Sequence, residues 1–333
     1  MSVSRCNKCG VVTEHANDLA GTTVICDSCG ASGKIYDTVL FINHILKLFA
    51  EQQRELNQFK EAAGKGTATA DAPVAKSYTD KFIDFDIHNT DVLTSEIQHS
   101  AISKWFGFKG LSISLNTSAV DTTGFFDEAA VEIGNQFSIL GEVVERIRYA
   151  QQKGYESTLI HLDKKTEAES KSLKAFCKQL YEHSLVARSF NNKEEKSIRI
   201  VLQSAPSVRK FFAGEWLEWY ALMEALKIFR KRKVSFSCAR NLTLTLPNAD
   251  KYELDVFFML SGTDPIYIEC KTGEYRTDIE KYVVLRKKLG ISSTRFVMCV
   301  ANLEPEQAKG LSAMYGLTFV GASELVAYLE TLC

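Results

Sequence analysis

Asp255, Glu269 and Lys271 stand in the stretch YELDVFFMLSGTDPIYIECKTGE, residues 252 to 274, most of whose other residues suit a sheet core. Apolar runs flank Ser261-Gly262-Thr263-Asp264-Pro265, a composition suited to a turn, so the stretch reads as a β-hairpin. Centring the turn on Gly262 pairs residues whose numbers sum to 524, which sets Asp255 opposite Glu269 and Glu253 opposite Lys271. The same register gathers Leu254, Val256, Phe258, Ile266, Ile268 and Cys270 on the other face, because strand side chains alternate. Two carboxylates about 5 Å apart at their Cβ atoms repel unless a proton or cation intervenes. Mg²⁺ or Mn²⁺ suits such a pair, keeps open positions and can bridge to a phosphate oxygen. Lys271 beside the pair could hold an attacking water or stabilise charge developing on phosphorus. These are the parts of a phosphodiester hydrolase. A plainer explanation of the same residues is a ladder of surface ion pairs on a half-solvated hairpin.

A second constellation lies at the N-terminus. Cys6-Asn-Lys-Cys9 and Cys26-Asp-Ser-Cys29 are CxxC pairs, each followed by glycine, with sixteen residues between them. Two thiolates two residues apart on a tight turn can reach one ion, and two such turns complete a four-thiolate Zn²⁺ site. With Val11, Val12, Val24 and Ile25 between them, residues 1 to 35 read as a zinc ribbon whose metal is structural.

The elements that must position these residues follow from periodicity. From Tyr36 to Ala63, Ile42, Ile45, Phe49, Gln52, Leu56 and Phe59 recur at 3-4-3-4-3 spacing, which predicts a helix. It would serve either as a coiled-coil seam for a homodimer or as a helix packed on its own chain. Residues 64 to 77, GKGTATADAPVAKS, lack large apolar side chains and read as a flexible linker. Residues 78 to 205 alternate helix and strand as a middle α/β domain: strands over 110–116, 157–163, 184–190 and 197–203, helices over 136–154 and 167–183. In residues 206 to 333 a helix over 213–229 carries Glu218 in line with Leu222, Ala225 and Phe229, on a stripe that should face a sheet. A carboxylate there calls for a metal or a hydrogen bond to Lys271; Glu215 and Glu224 are lesser candidates. A strand at 241–247 precedes the hairpin. After it come a helix at 277–289, the strand RFVMCVA, a helix over 305–315, the strand LTFVG and a last helix.

ELDVFF followed by IYIECKTGE resembles the D…ExK signature of the PD-(D/E)XK, restriction-endonuclease-like nucleases. That resemblance implies an α-β-β-β-α-β core, a metal held by Asp255 and Glu269, Lys271 as the catalytic lysine, and Glu218 completing the site from the preceding helix. More narrowly, GEWLEWY, ELDVFF and IECKTGE together are similar to the nuclease domain of CRISPR-associated effectors activated by cyclic oligonucleotides. This resemblance covers roughly residues 206 to 333 and implies defence against foreign DNA. The N-terminal zinc ribbon departs from those effectors, which begin with a ligand-sensing domain.

Composition narrows the rest. The chain has 333 residues, 45% hydrophobic and 24% charged, with no apolar run long enough to span a bilayer and no apolar segment at its N-terminus, which predicts a soluble cytoplasmic protein. Its net charge of −1 gives no global attraction to nucleic acid, so contact with phosphates must be local. The run Arg230, Lys231, Arg232 and Lys233 is a candidate for that contact, as is Arg286-Lys287-Lys288. GASGK at 30–34 is too short for a P-loop, and no GxGxxG, nucleophile elbow or HExxH occurs. The expectation is an α/β chain ending in a restriction-endonuclease-like mixed sheet flanked by helices, acting as a Mg²⁺- or Mn²⁺-dependent endonuclease on DNA. A ribonuclease with the same site, or a non-catalytic zinc-ribbon adaptor, fits the same residues. The ribbon would meet nucleic acid or a protein partner.

Overall fold

The computed structural model describes residues 2–6, 8–9, 11–37, 85–87, 90–122 and 124–333. The expected linker at 64–77 lies outside them. So does the expected helix at 36–63, apart from residues 36 and 37, which end a strand. The chain divides into two compact units, Met1–Ser77 and Tyr78–Cys333. Among the described residues, no helix is long and apolar enough to cross a membrane.

In the first unit, β1 (Ser2–Arg5), β2 (Val12–His15), β3 (Thr23–Ile25) and β4 (Ser32–Asp37) form an antiparallel sheet in the order β2-β1-β4-β3. Both cysteine pairs sit in the connections. Cys6 N donates to Val11 O at 2.9 Å, and Gly30 N donates to Cys26 O at 2.8 Å with Gly30 at a φ of 70°. A tight turn of this hand is where glycine is favoured.

The second unit is mixed α/β. Its main sheet has the order β13-β12-β11-β10-β9-β5, built from β5 (Ser112–Ser114), β9 (Phe236–Thr245), β10 (Lys251–Leu260), β11 (Asp264–Lys271), β12 (Phe296–Val300) and β13 (Thr318–Gly321). The strands β5, β9, β10 and β11 pair antiparallel, whereas β11, β12 and β13 pair parallel through helical crossovers. A smaller antiparallel sheet, order β6-β8-β7, comprises β6 (Ser157–His161), β7 (Val186–Asn192) and β8 (Ser197–Leu202).

Helices cover both faces of the main sheet. On one side lie α1 (Glu96–Phe108), α6 (Ile279–Leu289) and α7 (Pro305–Tyr315), whose apolar stripes meet Phe257, Tyr267, Phe296 and Met298. On the other lie α2 (Phe125–Asn135), α3 (Phe137–Lys153), α4 (Glu167–Glu182), α5 (Trp216–Arg232) and α8 (Leu325–Glu330), which share one core with Val256, Phe258, Ile266 and Ile268. This second core runs without a break from residues before 205 to residues after 206, and β5 extends the main sheet from the earlier part of the chain. Local chemistry sets the helix ends. Thr166 and Glu169 close a reciprocal cap at the start of α4, with Glu169 N donating to Thr166 Oγ1 at 3.2 Å and Thr166 N donating to Glu169 Oε2 at 2.8 Å.

The hairpin falls in the expected register, from Val256 opposite Ile268 to Leu260 opposite Asp264. Three expectations fail at its open end. The ladder between β10 and β11 closes at Val256, so neither Asp255 with Glu269 nor Glu253 with Lys271 forms a rung, although Glu253 pairs with Thr243 of β9 and Lys271 with Val300 of β12 on the outer edges. Leu254 does not share the face of Val256 and Phe258 but lies in the opposite core with Phe257. The cause is a reversal of alternation: Asn241, with a φ of 53°, sits where the β9–β10 pairing skips from Leu254–Leu242 to Val256–Arg240. Asn tolerates the left-handed region better than most residues, and one such residue rotates the strand by half a period.

Candidate active site

The reversal at Asn241 delivers Asp255 out of the sheet. Its Oδ2 accepts a hydrogen bond from Cys270 N at 2.7 Å, so a side chain takes the place of the next rung of the ladder. Asp255 keeps some exposed surface yet is closely surrounded by protein atoms. Burial, and then the charges of Glu269 and Glu218, raise its carboxyl well above the ordinary value.

Glu269 sits one residue pair away and is almost completely buried, with 2% of its surface exposed. Three donors converge on it: the Tyr267 hydroxyl, the Tyr282 hydroxyl at 2.5 Å and Lys271 Nζ at 2.5 Å. Burial opposes the charge on Lys271, but Glu269 alongside outweighs it and lifts the ammonium above its ordinary range. Burial, then Glu269, raises both tyrosines. Neither tyrosine was suggested by the sequence. Tyr267 was readable, because it lies two residues before Glu269 on the same strand face. Tyr282 comes from α6 and carries no local signal.

Glu218 lies in the first turn of α5, facing the sheet as its spacing predicts. Its partner is not Lys271. Arg240 Nη1 of β9 donates to Glu218 Oε2 at 2.8 Å, while Arg240 Nε donates to Ala119 O at 2.7 Å and the guanidinium lies 4.0 Å above the Trp219 ring. Burial pushes Glu218 up to about 7, with Arg240 pulling the other way. A lone arginine amid the apolar strand FSCARNLTLT was the available signal for this pair. Glu224 lies farther along α5, bound to Lys227 Nζ at 2.6 Å.

These residues border an open cleft of about 450 Å³ whose walls include Asp255, Glu218, Lys271, Glu215, Arg148 and Lys210. Glu269 is not on the wall itself; it is reached through Lys271, which holds it. Just before α5 the helix widens into a single π-type turn, Phe211–Glu215, of the kind common at functional sites. Thr272 Oγ1 donates to Ala213 O at 3.4 Å across this turn, and a Cβ on Gly214 would stand 3.0 Å from that oxygen. Glycine there lets the helix approach the end of β11.

The structure brings Asp255, Glu269 and Lys271 together and places Glu218 on the same cleft. It does not make the three carboxylates one chelate. Among the described residues, the only group of three or more His, Cys, Asp or Glu whose ligand atoms all lie within 4.8 Å of one another is Cys6, Cys9, Cys26 and Cys29. There Cys6 Sγ lies 3.4 Å from Cys29 Sγ and Cys9 Sγ 3.6 Å from Cys26 Sγ. A tetrahedron of sulfurs about 2.3 Å from zinc has edges of about 3.8 Å, so the set fits that ion closely. Amides of Cys9 and Lys8 aimed at Cys6 bring its thiol down to about 6, whereas the Cys29 thiol, despite the Ala31 amide, is pushed up to about 12 by sharing with Cys6, so without an ion one proton stays between the two.

The basic run Arg230, Lys231, Arg232 and Lys233 does not border this cleft. It occupies the far end of α5, about 18 Å of helix rise beyond Glu218, where Lys231 Nζ lies 3.3 Å from Glu330. The cations at the cleft are Arg148 of α3, Lys210 and Lys271, of which Arg148 comes from the middle segment that the sequence did not connect to the site.

No known family's sequence profile matches this chain, and no curated protein sequence matches it. Among solved structures it is similar to protein VC1899 from Vibrio cholerae, at 16% identity and a TM-score of 0.46, over 69% of this chain and 60% of that one. It is also similar to Can2 from Sulfobacillus thermosulfidooxidans, solved in complex with cyclic tetra-adenylate, at 14% identity and a TM-score of 0.48, over 69% of this chain and 58% of that one. The matched parts thus span about three fifths of each of those proteins.

Proposed function

We propose that this chain is a divalent-metal-dependent endonuclease that hydrolyses phosphodiester bonds in DNA. The observation that carries the reading is Asp255, crowded by the charges of Glu269 behind it and Glu218 beside it, at a cleft whose other walls carry Arg148, Lys210 and Lys271. An excess of buried negative charge at Asp255 calls for a cation, and three flanking cations suit a phosphate. Mg²⁺ is commonly held by one or two carboxylates with waters and substrate phosphate completing the shell, so a third chelating carboxylate is not required. Asp255 and Glu269 would hold Mg²⁺ or Mn²⁺, which when bound lowers the pKa of a water and screens phosphate charge. Tyr267 and Tyr282 fix the Glu269 carboxylate. Lys271 orients the attacking water or donates to the phosphorane oxygens, and Glu218, anchored by Arg240, completes the acidic wall. Arg148 and Lys210 hold the phosphates on either side.

The four N-terminal cysteines take a structural Zn²⁺ in this reading, and the ribbon they hold delivers the enzyme to nucleic acid or a protein partner. The sequence resemblance to defence effectors supports foreign DNA in the cytoplasm as the target.

The test is digestion of plasmid, single-stranded DNA and RNA with Mg²⁺ or Mn²⁺, comparing wild type with Lys271→Ala and Asp255→Ala. Wild type should cut DNA, and each variant should lose about 10²-fold or more in rate. Equal cleavage by all three proteins would remove the catalytic assignment, and faster cutting of RNA would make the enzyme a ribonuclease.

A further inference from the structure

The small sheet β6-β8-β7 buries one face and leaves the other open. Ile160, Ile198 and Ile200 point into the core shared with α3 and α4. On the outward face, the register sets Leu159, Arg199 and Phe190 in one row across the three strands, with Arg188 one row along on β7. Leu159 is 42% exposed and Phe190 49% exposed, so this row sets apolar and aromatic surface directly beside an arginine. A groove of about 1030 Å³ lies over this face, bordered by Arg146, Arg188 and Arg199 against a single carboxylate, Glu195. Arg146 also shares its charge with Glu142, at 3.4 Å.

The groove and the catalytic cleft share a helix. Arg146 borders the groove and Arg148 borders the cleft, two residues apart near the end of α3 and separated by about 3 Å of helix rise. Two residues on a helix point about 200° apart, so the groove and the cleft lie on different sides of α3, each with one of its arginines, and Arg148 also lies 2.5 Å from Glu145.

We propose that the outward face of β6-β8-β7 is a binding platform for single-stranded DNA. The arginines fit its phosphates, and the exposed ring of Phe190 offers a stacking surface that only an unpaired base can reach. That the same strand continues over α3 into the cleft rests on the nuclease reading; the platform itself does not. Charge and aromatic exposure favour this occupant over a second copy of the chain, which would set three arginines of each copy against three of the other.

The experiment is fluorescence anisotropy with a labelled oligothymidylate of about 20 nucleotides, recorded with no added Mg²⁺ or Mn²⁺ so that no cleavage intervenes. Phe190→Ala should weaken binding about fivefold or more. Arg188→Glu with Arg199→Glu should weaken it more than about tenfold and flatten the salt dependence by about one unit of slope for each phosphate contact removed. Lys193→Glu, at the hairpin tip outside the groove, should stay within about twofold of wild type. Circular dichroism of each variant controls for folding, and photocrosslinking of a 4-thiothymidine strand to the β7 segment of wild type gives a readout free of substitution. Unchanged affinity in both platform variants, tighter binding of RNA or duplex than of the single strand, or a change in light-scattering mass without a change in affinity would each overturn the proposal. Failure of the Lys271→Ala cleavage test would leave the anisotropy result standing, so the two readings fall separately.

Discussion

Asp255 holds its proton at a pH where a free aspartic acid has lost it, because desolvation and the neighbouring Glu269 and Glu218 all oppose its charge. The consequence for stability has a definite sign. A carboxyl raised in the folded chain above its ordinary 3.8 binds more protons folded than unfolded as pH climbs through the window above 3.8, so its contribution to stability is present at low pH and is lost toward neutrality. Asp255→Asn keeps an oxygen to accept from Cys270 N but carries no titrating proton. Thermal melts of zinc-loaded protein without Mg²⁺, from pH 5 to 8, should therefore show wild type losing stability relative to Asp255→Asn by up to about 1.4 kcal/mol per pH unit. Glu218, pushed up to about 7, titrates in both proteins, and its interaction with the Asp255 charge is part of the difference. Added Mg²⁺ should raise wild type and leave the variant where it is. Parallel pH profiles for the two proteins would contradict the crowding of charge at this residue. Glu269 and Lys271 were readable as neighbours because strand parity holds along β11, whereas Asp255 enters the cleft at the reversal of β10, where parity fails. Tyr282 and Arg240 were not readable, since each reaches the site from another element and nothing in its own neighbourhood marks it.

The strands and turns make a different kind of argument. In the first unit, the strands bury little: every residue of β2 keeps appreciable exposure, and among the apolar residues whose exposure is described only Cys6 and Ile35 are buried. If the four cysteines hold Zn²⁺ as proposed, a sheet with so small a core would draw its stability from that ion. Treatment with a strong zinc chelator should release one equivalent of metal and remove the strand signals of residues 2 to 37 in a backbone NMR spectrum; a spectrum unchanged after metal loss would contradict this. In the second unit, Asn241 is where β9 reverses its alternation. Asn241→Val places a β-branched residue at a φ of 53° and should destabilise the unit by about 1–2 kcal/mol in denaturant titration, whereas Asn241→Gly should be tolerated. Equal stability of the two variants would show that the reversal does not depend on this residue's conformation. The alternating apolar runs placed most strands of the main and small sheets to within two residues, but the strand expected at 241–247 begins at Phe236, so the half of β9 that carries Arg240 was missed. They missed the reversal, because a single left-handed residue leaves the apolar pattern of its neighbours intact. Helices α1 and α2 also escaped notice, since their apolar residues are diluted by Ala, Ser and Gly, and it is packing that selects helix there.

At the scale of the whole second unit, the helix that carries Glu218 is clamped from both sides. Trp216 stacks on Phe137 of α3 at 5.1 Å between ring centroids, Phe126 of α2 meets Phe211 at 5.2 Å, and Tyr220 lies against Gly134 of α2. A Cβ on Gly134 would stand 2.3 Å from the Tyr220 ring, and Tyr220 is fixed in turn by the core around it. Residues 206 to 333 alone would expose Trp216, Tyr220 and the edge of β9 that β5 covers, each a large apolar or hydrogen-bonding surface suddenly facing water. Two expected segments, 78–205 and 206–333, should then behave as one cooperative body. Calorimetry of residues 78–333 should show a single unfolding transition, and Gly134→Ala, by overpacking the contact with Tyr220, should lower it as a whole by about 1–3 kcal/mol. A fragment of residues 206–333 should lack that transition. A fragment that melts cooperatively at the temperature of the longer chain would show that the cleft stands without α2 and α3. Arg148 of α3 would then be an accessory to the cleft instead of one of its walls.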